Sequence, residues 1–222
     1  MTRIYLPSPG ADAWKQFLAQ PELHWSVGYS ARTLANSWQG ADGLPPEIGW
    51  MLKPLIGEPE LLLALPEHKT ALPGGRRESQ SDVFALVRGH DRVVACTIEG
   101  KVDEPFGPTV GEWLLDASEG KVRRLAFICE TLGLPKAPRY VRYQLLHRTA
   151  SAAVEAERFM TQAAAMIVHS FSPQRRWFSD FEQFLHLFGQ TAVEGEAVVV
   201  ALPSGKPLYL GWAAGDQRYR NL

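Results

Sequence analysis

The sequence predicts an α/β protein: a mixed β-sheet flanked by helices. Three observations predict it. Residues 81–87 and 92–101 are two apolar runs of strand length around the tight turn Arg88-Gly89-His90-Asp91. Residues 121–132 place Val122, Leu125, Ala126, Cys129 and Leu132 on one helical face. The stretch from Val93 to Leu146 then reads strand, helix, strand, which allows a parallel crossover.

The remaining elements follow in order. Residues 11–20 suit a short helix that stops before Pro21. Ser30 is placed to cap a helix running to about Trp38, with Leu34 and Trp38 on one face. Pro45-Pro46-Glu47 opens another, because the first helical turn tolerates proline. Residues 60–65 are a strand-length apolar run, and residues 73–80 a glycine- and charge-rich loop before the hairpin. Gly133 closes the 121–132 helix. Residues 139–146 read as a strand, and an alanine-rich helix runs from Thr149 or Ser151 to about residue 169. Ser179 opens a helix closed by Gly189, and residues 197–202 and 208–212 form a hairpin. No repeat or linker divides the chain, so residues 1–222 read as one domain.

Composition narrows the function. Among 222 residues, 45% are hydrophobic, which is ordinary for a packed protein. The net charge of -1 supplies no global field for nucleic acid, so such a partner needs a local basic patch. Cys96 and Cys129 sit in apolar contexts without metal-ligand spacing and read as reduced thiols of a cytoplasmic protein. No apolar run is long enough for a membrane span. The histidines lack zinc spacing, and neither a nucleophile elbow nor a phosphate loop occurs. Trp177, Phe178, Phe181, Phe184 and Phe188 fall at helical spacing, which suits core packing or a protein partner docking on 177–188.

Asp82, Glu99 and Lys101 carry the candidate chemistry. Alternation along a strand puts Glu99 and Lys101 on one face, roughly 6–7 Å apart. If Val87 pairs with Arg92, Asp82 lies opposite Thr97 and diagonally across from Glu99, roughly 7–8 Å away. Two carboxylates and an ammonium in one patch suit a divalent cation. The carbonyl of Gly100 offers a further ligand, and the missing side chain there leaves room beside the backbone. A solvated sheet face with a cross-strand ion pair accounts for the same residues without chemistry.

Asp82, one hairpin, then Glu99-Gly100-Lys101 resembles the signature of the PD-(D/E)XK nuclease superfamily. The resemblance spans about residues 60–170 and implies a restriction-endonuclease-like core of helix, three antiparallel strands, helix and strand. Residues 1–55 and 190–222 would elaborate it. It implies Mg²⁺ or Mn²⁺ held by Asp82 and Glu99, and Lys101 assisting the attacking water. The expected activity is phosphodiester hydrolysis of nucleic acid. Ser81 replaces the family's proline. Gln144 resembles a glutamine that some members add, and Glu47, ahead of Glu78, a glutamate that some add from the first helix. Gln144 and Arg148, together with Arg76 and Arg77 of the loop before Asp82, are candidate substrate contacts, and His147 lies beside them. A non-catalytic binding protein that keeps this core, and a hydrolase of small molecules, remain the alternatives. The oligomeric state is left open.

Overall fold

The computed structural model describes residues 9–18, 20–75 and 77–222. A 3-10 segment, Ala11–Phe17, and a short helix α1 (Pro21–His24) lead into α2 (Ser30–Gly40) and α3 (Pro46–Ile56). Strands β1 (Glu60–Thr70), β2 (Ser79–Arg88) and β3 (Val93–Lys101) follow. Helices α4 (Val110–Trp113), α5 (Glu119–Leu132) and α6 (Tyr143–Arg158) then carry the chain to β4 (Ala163–Ser170). After α7 (Phe178–Leu185) and a 3-10 turn (His186–Phe188), the hairpin of β5 (Ala197–Ala201) and β6 (Pro207–Ala214) leads to a last 3-10 turn, Gln217–Asn221.

The strands form one mixed six-stranded sheet in the order β1-β2-β3-β4-β6-β5. β4 runs parallel to both β3 and β6, and the other pairs are antiparallel. Each face carries its own apolar layer. On one side α5, α6 and α7 cover Phe84, Ala95, Met166, Val168 and Trp212. On the other, Leu34, Trp38, Ile48 and Leu52 of α2 and α3 cover Val83, Ile98 and Ile167. A central strand sandwiched this way is covered on both faces, and all eight residues of β4 are buried, six of them apolar from Ala163 to Val168. Removing a buried Ile or Met side chain from such a layer costs about 2–5 kcal/mol.

Two sequence expectations are corrected here. Residues 139–146 are not a strand. Arg142 makes an isolated bridge with Thr109, and α6 begins at Tyr143. Tyr-Val-Arg-Tyr imitates the alternation of a strand over too few residues to decide, whereas Leu145, Leu146, Thr149, Ala150, Ala153 and Ala156 keep a helical spacing that buries one face. The alanine-rich helix therefore starts earlier and also ends earlier. Met160 takes a left-handed backbone (φ 52°) just past its end, and Ala163-Ala164-Ala165 opens β4. Alanine's helix propensity yields there to burial between two parallel neighbours and helices on both faces. The parallel crossover exists, but it closes on 163–170.

Smaller differences concern boundaries. The 11–20 helix is a 3-10 segment that ends at Phe17, and Pro21 starts the next helix instead of stopping one. Ser30 is the first residue of α2, with Tyr29 in the capping position and no side-chain cap bond. Val122 is exposed, and Ile128 and Leu132 are the buried residues of α5. Gly133 and Gly189 are left-handed closures, as their positions predict. Phe181 and Phe184 are buried, and Trp177, Phe178 and Phe188 pack against the same core, so these rings serve the α7 layer.

Candidate active site

The β2–β3 hairpin places the two acids. Its turn is Gly89 to Arg92, closed by the Gly89 N–H donating to the Arg92 carbonyl at 2.8 Å. The end of α3 fixes it: His90 N–H donates to the Ile56 carbonyl at 2.8 Å, and a Cβ on Gly89 would lie 2.1 Å from that oxygen. Only glycine fits that approach. Val87 therefore pairs with Val94, two residues further along than expected, and Phe84 pairs with Thr97. An even shift preserves the faces. The last pair of the ladder is Val83 with Ile98, so Asp82 and Glu99 are the next residues outward, directly opposite in register. There Gly100 N–H donates to Asp82 Oδ2 at 2.7 Å, so the carboxylate takes the place of a strand carbonyl.

Glu99 is buried at 2% exposure, and both its oxygens are engaged. Lys101 Nζ and Gln144 Nε2 donate to Oε1 at 2.7 and 2.6 Å, and Arg148 Nε donates to Oε2 at 2.7 Å. Gln144 and Arg148 stand four residues apart on α6, which lets both side chains reach one target. Arg148 Nη1 also donates to Ser79 Oγ at 3.2 Å, and that hydroxyl lies 2.8 Å from His147 Nδ1. Burial, then the Arg148 charge, holds His147 well below the usual histidine range and therefore neutral.

A cavity of about 440 Å³ opens over this cluster. Its inner wall is Glu67, Gln80, Asp82, Glu99, Lys101, Glu104, Gln144 and Arg148. Five of the expected site residues thus converge. Arg77 is exposed and outside this wall, and Arg76 lies outside the described residues. Gly100 is not part of the lining, and the space beside it is taken: a Cβ would meet Leu34 Cδ2 at 3.1 Å and Asp82 Oδ2 at 3.3 Å. Glu47 lies elsewhere, with Oε1 2.6 Å from Nε2 of the buried His169. Glu78 is exposed.

Sequence reading missed Glu67 and Glu104. The apolar run stops at Leu65, but an edge strand tolerates proline and β1 continues through Pro66 to Thr70. Pro66 pairs with Val83 and His68 with Ser81, which sets Glu67 beside Asp82. Glu67 has φ 52°, a left-handed backbone that is uncommon for this residue type, and Gln80 Nε2 donates to its Oε2 at 2.7 Å. One Glu104 oxygen accepts from the Val102 and Asp103 amides, while the other is buried with no partner among the described residues.

The carboxylates divide by environment. Burial disfavours charge on Glu99, but Lys101 and Arg148 outweigh it and hold this carboxyl below its ordinary range. Asp82 is pushed up to about 7, first by burial and then by the charge on Glu99. Glu67 is pushed up to about 8, by burial and by Asp82. A desolvated wall with more acids than free cations favours a bound cation over two bare charges.

The donor set fits a hard divalent ion chemically. The unpartnered Glu104 oxygen and the Asp82 and Glu67 carboxylates, each of which accepts a hydrogen bond through Oδ2 or Oε2, are all-oxygen ligands. No group of three carboxylate, histidine or cysteine ligands among the described residues is already drawn together around a point. One or two carboxylates completed by waters and a substrate oxygen is the arrangement Mg²⁺ commonly takes.

Fold and site together define an α/β protein whose mixed sheet carries a cluster of carboxylates, Glu67, Asp82, Glu99 and Glu104, along one cavity. Residues 7–217 match the model of a family described as a domain of unknown function, DUF6946, and the chain belongs to that family. No curated protein matches the chain, and no solved structure does. No helix among the described residues is long and apolar enough to cross a membrane.

Proposed function

We propose that the protein hydrolyses phosphodiester bonds in nucleic acid with the help of Mg²⁺ or Mn²⁺. One observation carries this reading: Asp82, Glu99, Lys101, Gln144 and Arg148, from two strands and a helix, line a single cavity. The element order supports it as well. A helix, three antiparallel strands, a crossover ending in a helix and a parallel strand is the order that the PD-(D/E)XK resemblance implies. Gln144 adds support by standing on a helix.

Asp82, with Glu67 or Glu104 beside it, would hold the cation. When bound, the ion supplies Lewis acidity toward a phosphate oxygen and a more acidic water. Glu99 stays ionised and fixes Lys101 and Arg148 by direct bonds. Lys101 Nζ, anchored on Glu99 and 5.0 Å from the Phe106 ring centre, keeps a positive charge at the wall where phosphate charge develops. Gln144 and Arg148 hold Glu99 in place. The free thiols Cys96 and Cys129 suit a cytoplasmic setting.

The test is incubation of the purified chain with labelled DNA and RNA in Mn²⁺, beside Asp82→Asn. This variant keeps an acceptor for the Gly100 amide and removes the charge. Cleavage by the wild type and its loss in Asp82→Asn support the reading. An inert wild type, or an equally active variant, removes it.

A second reading, a non-catalytic binding protein with this core, is favoured by one observation. Lys101, Gln144 and Arg148 already occupy both oxygens of Glu99, which a metal-binding glutamate would need. Calorimetric titration with Mn²⁺ separates the two: heat of binding that disappears in Asp82→Asn belongs to the first, and no heat belongs to the second.

A further inference from the structure

The cavity has an outer wall that the proposed chemistry does not use. Leu18, His24, Tyr29, Ser30 and Ala31, from the segment before α2 and its first turn, line the same cavity as the acids. We propose that the cavity takes an unpaired nucleic-acid strand, packing one base against Tyr29 and presenting the adjoining phosphate to Asp82 and Lys101, and that paired duplex is excluded. The position of the phosphate rests on the nuclease reading; the preference for unpaired strand rests on this wall.

Three features argue for it. The volume of about 440 Å³ lies near the lower end of the roughly 300–1,000 Å³ that pockets for single small ligands span, so one nucleotide unit fills it. Charge gives the second. The lining holds four carboxylates, Glu67, Asp82, Glu99 and Glu104, and its lysine and arginine, Lys101 and Arg148, both bond to Glu99. Binding of duplex draws on many Lys and Arg contacts to successive phosphates, and this wall has no spare cation to supply them. Tyr29 is the third. Its side chain is 48% exposed at the cavity, in no aromatic contact or side-chain hydrogen bond with a described residue. A base reaches such a ring only when unstacked from its neighbours, and stacking on an aromatic needs no cation and is tolerant of sequence.

Fluorescence anisotropy in Ca²⁺ tests binding without requiring turnover, with labelled oligothymidylate and the same strand annealed to oligoadenylate. The single strand is expected to bind about ten-fold tighter or more. Tyr29→Ala should weaken that binding about ten-fold (about 1.4 kcal/mol), and Tyr29→Phe, which keeps the stacking face, should restore the preference. Equal affinities, tighter duplex binding, or binding indifferent to Tyr29→Ala overturn the inference. Cleavage in Mn²⁺ is scored separately. Single-strand binding without cleavage removes the nuclease reading and leaves the strand preference standing. Equal cleavage of both forms keeps the nuclease reading and removes this inference.

Discussion

Helix α6 touches two buried acidic clusters that differ in kind. Near its start, Arg148 and Gln144 hold Glu99 beside Asp82 and Glu67. Near its end, Glu155 is 1% exposed and accepts from Thr70 Oγ1 at 2.8 Å, with His68 Nε2 at 3.2 Å and Arg158 Nη1 at 3.6 Å. Burial works against ionisation of Glu155, yet His68 and Thr70 bring it below the ordinary carboxylate range. It is a single acid with His68 and Arg158 within ion-pair distance, although its Oε2 has no hydrogen-bond partner among the described residues, and it does not line the cavity. The first cluster is overfilled with acid and open to a ligand. Burial alone therefore does not single out a candidate site; burial combined with several acids and an opening distinguishes the first cluster from the second.

The largest expected effect is on cleavage. Asp82→Asn and Glu99→Gln should each lower the rate at least about 100-fold, while Glu155→Gln leaves it near wild type. A comparable loss in Glu155→Gln would erase the distinction between the clusters. Next comes stability. Arg148→Ala leaves the Glu99 cluster short of a buried cation and should cost about 3–5 kcal/mol in urea unfolding. Arg158→Ala removes an exposed partner of Glu155 and should cost less than about 1 kcal/mol. For the same reason Glu99→Ala, which strands Lys101 and Arg148, is a poor probe of chemistry.

The response to pH sharpens the contrast further. In the fold Asp82 is pushed up to about 7 from its ordinary 3.8, and Glu67 to about 8 from its ordinary 4.5, by burial and by neighbouring acids. The folded chain holds these protons longer than the unfolded one, so their contribution to stability falls as pH rises from about 4 to about 8. Glu99 and Glu155 behave oppositely: their contribution is full above the ordinary glutamate value and is lost as pH drops through their lowered folded values. Thermal melts should show Asp82→Asn more stable than wild type at pH 8 and equal to it near pH 4. A wild-type advantage at pH 8 would contradict the overfilled cluster. Cation linkage separates the clusters as well. Mn²⁺ at about 100 times its Kd should add about 2.7 kcal/mol to wild type and to Glu155→Gln, and nothing to Asp82→Asn.

Much of the site was legible because a hairpin is a local object. Strand alternation alone linked Glu99 to Lys101 on one face, and a two-residue error in the turn left the faces intact. Gln144 and Arg148 stand out beside the site from the sequence, although it places Gln144 on a strand and Arg148 between elements, since Tyr-Val-Arg-Tyr gives periodicity too little length to decide. Glu67 and Tyr29 were invisible. One depends on which strand lies beside β2, the other on how the N-terminal segment folds over the sheet end.

Local pattern by itself determined the class of fold, the hairpin, the helix closures at Gly133 and Gly189 and the acid-x-lysine triplet, because each depends on neighbours a few residues away. Tertiary structure decided that Ala163–Ser170 is a strand, that Ile56 sets the hairpin turn, and that four carboxylates line one cavity. Those outcomes depend on burial between layers and on charges brought together across the sheet, and neither has a period that a sequence can display.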